Sequence, residues 1–300
     1  MSREVAMRYV FFDDNELGVL HDGQVYSIAG LIVGAGAHDA QEALEYLIAN
    51  EERLRPRIRK ALATQDGRPV ADVRLRPPVQ RPSKLLCAFA NYREDGARAE
   101  VPLDLFLKSP ASIIGPEGTV ELPPVEASIF HHEAELALVI GKRASRVSAD
   151  DAMGYIFGYV PFMDISARGT SGRTMFQGKS YDTFGPLGPA LVTADEIPDP
   201  HNLAVELAVN GELRQRYHTS DMANRIPQLI EFASSVCTLE PGDIIACGTN
   251  HQGLGPVQDG DRVELTIEHL GTLAVNVRDP QGRTWERTID EGMAKMVRQM

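Results

Sequence analysis

The sequence has 300 residues, 43% apolar and 24% charged, which suits one large or two unequal domains whose core needs no disulfide staples. Thirty Lys and Arg against 42 Asp and Glu give a net charge of −12, and no basic run interrupts it, so neither nucleic acid nor an anionic membrane is an expected partner. No apolar stretch reaches the roughly 18 residues of a membrane span, and the start MSREVAMRYVFFDD has no signal-peptide pattern; with Cys87, Cys237 and Cys247 in no zinc spacing, a cytoplasmic chain with reduced thiols is expected.

Residues 1–30 read as short strands, with Asp13-Asp14-Asn15 and His21-Asp22-Gly23 as turns. Residues 38–64 read as a helix: Ala43, Leu44, Leu47 and Ile48 recur at helical spacing and Asp39 can cap the start. Arg55-Pro56 is expected to break or kink it. Prolines 77, 78 and 82 in VRLRPPVQRPSK mark a boundary between a small N-terminal α/β domain, 1–78, and a larger domain, 79–300.

In the larger part, short β-like runs begin at Leu85 to Ala90 and are separated by Gly/Pro turns. Two helices are expected among them, one after a Ser148 cap and one over about 222–236 with Pro227 near its start. The stretches GDIIACGTN and GDRVELTIEHLGTLAVNVRD alternate as strands. The sum is an α+β, β-rich fold, a roll or barrel rather than a doubly wound sheet.

The sharpest chemical signal is HHEAELALVIGK at 131–142. Glu133 and Glu135 lie two apart in a strand-like run, so both carboxylates share a face opposite Leu136, Leu138 and Ile140. Buried together they need a cation or a shared proton, and a divalent metal with oxygen ligands supplies the first; an ordinary solvated strand face is the other reading. Asp164 ends the apolar run Tyr159 to Met163 and offers a third carboxylate or a plain turn residue. Arg168, four residues on, can neutralise a carboxylate or grip a substrate anion.

Lys179 and Lys108 each follow apolar or Gly-rich segments and can polarise a carbonyl, or be ordinary surface lysines. The loop GTNHQGLGP at 248–256 can bind an anion through its N–H groups and the Thr249 hydroxyl. Neither a nucleophile elbow, a dinucleotide fingerprint nor an H-E-x-x-H zinc motif is present. His131 is in phase with Glu133 and reads as a packing or supporting residue.

Seven motifs, in matching order over about residues 80–278, resemble the fumarylacetoacetate hydrolase family. They are Asn91-Tyr92, F-L-K at 106–108, H-H-E-x-E-L at 131–136 running on to 143, and G-Y-x-x-x-x-D-x-S-A-R at 158–168. The rest are G-K-S-x-D-T-F-x-P-L-G-P at 178–189, V-N-G-E-L-R-Q at 209–215 and L-E-P-G-D-I-I-x-x-G-T at 239–249. The resemblance implies a mixed β-sandwich roll, a homodimer, and Mg²⁺ or Mn²⁺ held by Glu133, Glu135 and Asp164. It further implies a substrate-polarising Lys179, a catalytic Arg168 and a substrate contact at Thr249; beside these, Tyr92, Lys108, Asn250 and His251 are expected to bind substrate. The implied substrate is a small 2-oxo acid, gripped by the metal through its carboxylate and keto oxygens on the way to an enolate.

Departures from the family pattern are equally specific. Many members read N-Y-x-x-H-x-x-E on a lid, where the His and Glu activate water; here Asp95 stands in place of the His and Arg98 in place of the Glu. Glu94 or Asp95 is then the expected catalytic base, and His251 a candidate for the missing imidazole. Gly169 and Ser171 replace the Asp and Gln that usually follow Arg168. The expected activity is hydrolytic C–C cleavage of an acylpyruvate-like acid. Hydration, isomerisation or decarboxylation of a related acid is the alternative, and a metal-binding protein without turnover a third reading.

Overall fold

A computed structural model describes residues 6–32, 36–171 and 174–299. Its centre is the strand Ala134–Ile140, in which every residue is buried. Alternate side chains enter two different cores: Leu136, Leu138 and Ile140 one, Ala137 and Val139 the other. A strand buried on both faces cannot show a polar face, which is why this run reads as almost continuously apolar after Glu135.

That strand pairs antiparallel with Ile156–Met163 on one side and with Ile244–Ala246 on the other. Ile244–Ala246 is parallel to Leu85–Ala88, which pairs in turn with Leu105–Lys108. On the far side the sheet runs through Leu191–Thr193, Arg8–Phe12, Glu16–His21 and Gln24–Ser27. A second, five-stranded sheet is built around Ala204–Val209 and Arg262–Ile267. Its residues Val205, Leu207, Val263 and Leu265 share a core with Leu136 and Leu138, so the sheets pack face to face. The helix Ala40–Thr64 covers the opposite face of the large sheet through Leu44, Leu47, Leu54 and Ile58. The expected β-rich α+β fold is therefore present as a mixed sandwich without a closed barrel.

The proline-rich boundary does not separate two sheets. Arg8–Phe12 pairs with Leu191–Thr193 on one side of the molecule's main sheet and with Leu75–Arg76 nearby, so residues before and after 78 share one sheet. The Asp22-Gly23 turn has φ of 47° and 73°, the left-handed pair that a two-residue hairpin of this twist demands.

Two local expectations are corrected. The helix does not break at Pro56: it runs from Ala40 to Thr64, with the Asp39 side chain accepting from the N–H groups of Gln41 and Glu42. Pro56 removes one donor, but Leu54 and Ile58 on either side are buried, and Arg55 is tied to Glu51 at 2.7 Å and to Asp195. Tertiary contact outweighs the loss of one hydrogen bond. The helix expected after Ser148 is only a 3₁₀ turn, Ala152–Tyr155. Ser148 Oγ donates to Asp151 Oδ2 at 2.8 Å, and the strand Ile156–Met163 begins before a second turn can form. The later helix forms as Ile226–Val236, with Pro227 in its first turn.

Candidate active site

Glu133 directly precedes the Ala134–Ile140 strand and Asp164 directly follows its neighbour Ile156–Met163. Ala134 lies opposite Met163, and Asp164 N–H donates to the Glu133 carbonyl at 3.0 Å. The ladder thus brings two carboxylates distant in sequence to one end of the sheet. Glu135 adds a third, and its Oε2 accepts the Gly248 N–H at 2.9 Å from the chain leaving Ile244–Ala246. One oxygen from each of Glu133, Glu135 and Asp164 lies within 4.8 Å of the others, and all three residues are buried. Three convergent carboxylates with no soft donor fit a hard divalent ion such as Mg²⁺ or Mn²⁺.

Cations surround this set. Lys179 ends the short helix Met175–Lys179 and donates to Glu133 Oε2 at 2.5 Å and Asp164 Oδ2 at 2.7 Å. Arg168, on the strand Ser166–Arg168, donates to Glu133 Oε1, which also accepts from Ser166 Oγ at 3.0 Å. Lys108 is fully buried behind Asp164; its Nζ donates to Asp164 Oδ1 at 2.7 Å and to the carbonyls of Ile165 and Lys179.

The electrostatics follow from these partners. Burial alone would raise the Glu133 pKa, but Lys179 and Arg168 outweigh it and hold the carboxyl well below its usual range. Glu135 lacks such a direct cation: burial, then the charges of Asp164 and Glu133, push it well up. For Lys179, burial disfavours the ammonium, and Asp164 and Glu133 reverse this so that its pKa rises. His131 is lowered to about 4 by burial and then by Arg168, and so is neutral near pH 7. Its ring meets Arg168 Nε at 3.4 Å and Asp290 Oδ2 at 3.1 Å, a supporting position behind the carboxylates.

One pocket is lined by Glu133, Glu135, Asp164, Arg168, Lys179, Thr249 and His251, with Phe106 and Met175 on its wall. Of the remaining residues picked from the sequence, Tyr92 is buried in the core against Tyr217, with ring centroids 5.0 Å apart. Asn250 turns its amide toward Asp221 at 3.1 Å and Asp95 at 3.4 Å. Asp95 is exposed and bonded to Gln252 Nε2 at 2.6 Å. Tyr92, Lys108, Asn250 and Asp95 are not among the residues lining the pocket. Glu94 is buried and bonded to His251. Arg98 points inward and donates to the Tyr92 carbonyl at 3.1 Å, bracing the turn that carries Glu94.

Sequence reasoning missed two supports. Gln215 is fully buried on the strand Glu212–His218; its Oε1 accepts Ala134 N–H at 3.1 Å, and its Nε2 donates to Thr249 Oγ1 at 2.9 Å and the Asn250 carbonyl at 2.7 Å. It ties the start of the carboxylate strand to the Gly-rich loop. Asn91 ties the turn after Leu85–Ala88 to the chain entering that loop, donating to the carbonyls of Cys247 and Asn224. Both residues lie in motifs visible in the sequence, but nothing in spacing says which loop an amide will hold.

A family model described as fumarylacetoacetate (FAA) hydrolase C-terminal matches residues 84–278, across all three carboxylates and Lys179. The chain belongs to the fumarylacetoacetate hydrolase family. It is 38% identical over 286 residues to the protein named oxaloacetate tautomerase FAHD2B, mitochondrial, of Bos taurus, covering 89% of this chain and 90% of that one. The crystal structure of maleylpyruvate hydrolase from Sphingobium sp. SYK-6 with manganese(II) and pyruvate superposes with a TM-score of 0.83 at 38% identity, over 91% of this chain and 99% of that one. A 5-carboxymethyl-2-hydroxymuconate delta-isomerase from Mycobacterium smegmatis gives a TM-score of 0.72 at 33% identity, over 92% of this chain and 100% of that one. The three relatives carry three different enzyme names. Among the described residues no helix is long and apolar enough to cross a membrane.

Proposed function

We propose that this chain is a divalent-metal-dependent enzyme that forms the enolate of a small 2-oxo acid, and that it hydrolyses a C–C bond of an acylpyruvate-like substrate. The observation that carries this is the charge arrangement around the carboxylates. With all three ionised, Glu133, Glu135 and Asp164 are matched by Lys108, Lys179 and Arg168. A bound divalent ion then leaves roughly two positive charges unmatched. A 2-oxo acid brings one negative charge as substrate and two as its enolate, so the surroundings favour the enolate over the ground state.

Glu133, Glu135 and Asp164 would hold the ion, which supplies Lewis-acid stabilisation of charge on the keto oxygen. Lys179 reaches the same pocket with an ammonium that can hydrogen-bond that oxygen. Arg168 holds Glu133 in place from the other side. Phe106 and Met175 give the pocket an apolar wall. In hydrolysis, water adds to the distal carbonyl, and the C–C bond electrons pass to the pyruvate side as an enolate, which then takes a proton.

A second reading is keto–enol isomerisation of oxaloacetate, favoured by the tautomerase name on a relative that matches almost the full length of this chain. It uses the same enolate without the water step. The test is direct. Acylpyruvates and oxaloacetate are each incubated with the protein, with Mg²⁺ or with EDTA, and the enol absorbance and the products are followed. Metal-dependent loss of acylpyruvate with release of pyruvate supports hydrolysis. Faster enol–keto equilibration of oxaloacetate without cleavage supports isomerisation. No metal-dependent change on any of them leaves the non-catalytic reading.

The unpaired Cys87, Cys237 and Cys247 suit a reducing compartment such as the cytoplasm. A homodimer remains part of the proposal, with exposed Leu107 and Phe176 as apolar surface for a second copy to cover.

A further inference from the structure

Resting on the enolate reading above, we infer that His251 is the acid–base residue of the site and that Glu94 orients it, the pair being assembled from two segments 157 residues apart. His251 lines the pocket with the carboxylate set, Lys179 and Thr249. Its Nδ1 lies 2.8 Å from Glu94 Oε1, and its backbone N–H donates to both Glu94 oxygens at 3.2 and 3.0 Å. An ionised carboxylate can only accept, so Nδ1 carries the proton and Nε2 keeps a free lone pair. That is the tautomer a general base needs, with a carboxylate placed to stabilise the imidazolium that forms.

The backbone around Glu94 shows that this placement is built. Glu94 and Asp95 have φ of 55° and 57° and are followed by Gly96 at 80°, three successive residues in the left-handed region. Non-glycine residues persist there only when neighbours enforce it. Neighbouring groups supply that enforcement. Arg98 donates to the carbonyls of Ala90 and Tyr92; Asp95 N–H donates to Asp221 Oδ2 at 3.0 Å; and Gln252 Nε2 donates to Asp95 Oδ2 at 2.6 Å. The last bond ties the Glu94 turn to the residue next to His251. Asp95 is thus a latch, and the strained turn aims Glu94, not Asp95, at the imidazole.

The step balances without a co-reactant. Nε2 takes a proton from the carbon beside the keto group. The C–H bond breaks, an N–H bond forms, and the electron pair moves through the new C=C bond to leave the charge on the keto oxygen. Return of the proton reverses it, which is also the last step after C–C cleavage to pyruvate.

The test is deuterium exchange at C3 of pyruvate in D₂O with Mg²⁺, followed by proton NMR, alongside calorimetric Mg²⁺ affinity. His251→Gln is expected to slow exchange at least about 100-fold while Mg²⁺ affinity stays within about twofold, which also reports an intact site. In His251→Ala, added imidazole should restore part of the exchange. Glu94→Gln should lower kcat about tenfold with KM little changed, and should blur the single-tautomer ¹⁵N signature of the His251 ring. Exchange at the wild-type rate in His251→Gln, with metal still bound, overturns the assignment and leaves the enolate reading standing. If the wild-type protein binds Mg²⁺ yet exchanges no proton of pyruvate, the enolate reading falls and the His251 assignment with it.

Discussion

The Gly248 N–H donates to Glu135 Oε2 at 2.9 Å, and this is the only hydrogen bond to the Glu135 carboxyl among the described residues, whereas Glu133 accepts from Lys179, Arg168 and Ser166. The difference explains why burial and its acidic neighbours raise Glu135 while Glu133 is held low. Of the three carboxylates, Glu135 is the one that most needs a cation.

Replacing it should therefore remove metal binding most completely. Glu135→Ala is expected to abolish calorimetric Mg²⁺ binding, because the two remaining carboxylates are already shared with Lys179 and Lys108. Glu135→Gln, which keeps an acceptor for Gly248 N–H, should lose affinity at least about tenfold while folding normally. Unchanged affinity in either variant counts against the ligand set.

Lys179 donates to Glu133 and Asp164, two of the three proposed ligands. Lys179→Ala should leave Mg²⁺ affinity nearly intact, or raise it, since a competing cation is gone. Turnover should drop by about two orders of magnitude or more, the scale of losing one donor to a developing oxyanion. A wild-type kcat would take Lys179 out of the chemistry.

Lys108 is a structural cation. It is completely buried against Asp164, and its remaining donors go to carbonyl oxygens. Lys108→Met leaves a buried carboxylate and two carbonyls short of a partner, so stability in EDTA should fall by about 3–5 kcal/mol in urea titrations. Mg²⁺ should recover part of the loss by supplying charge to Asp164. A change under about 1 kcal/mol would show that Asp164 does not depend on Lys108.

His201 sets a pH dependence of stability. Its Nε2 accepts the Ile226 N–H at 3.1 Å at the start of the Ile226–Val236 helix. Burial, and then the charge of Arg225, lower its pKa from 6.5, against the smaller opposing effect of Asp199. The unfolded chain therefore takes up a proton that folded His201 resists. Its contribution is present above about pH 6.5 and is lost as pH falls through the lowered folded value. His201→Gln, which keeps an acceptor, should flatten the fall in urea midpoint between pH 7 and pH 5. Parallel slopes for the two proteins would sink this account.

Much of the site was legible before folding. The Glu133–Glu135 spacing on one strand face and Asp164 at the end of an apolar run announced the carboxylates, because strand alternation and the cost of burying charge are local rules. The Asp39 cap and the Asp22-Gly23 turn were readable for the same reason. Pro56 does not end the helix as a break would, because its local penalty is set against packing by Leu54 and Ile58 that sequence periodicity alone does not weigh. Lys108 read as a substrate contact, and only the fold put it behind Asp164.

The sequence alone determined the ordered motifs, hence the family, the β-rich class and the oxygen-donor set, since these depend on residue type and spacing. What the tertiary structure decided is which side chains meet across separate segments: Asp164 with Glu133, Gln215 with Thr249, and Glu94 with His251. Such pairs are set by strand register and by the long-range bonds that hold a strained turn. Neither leaves a periodic trace along the chain.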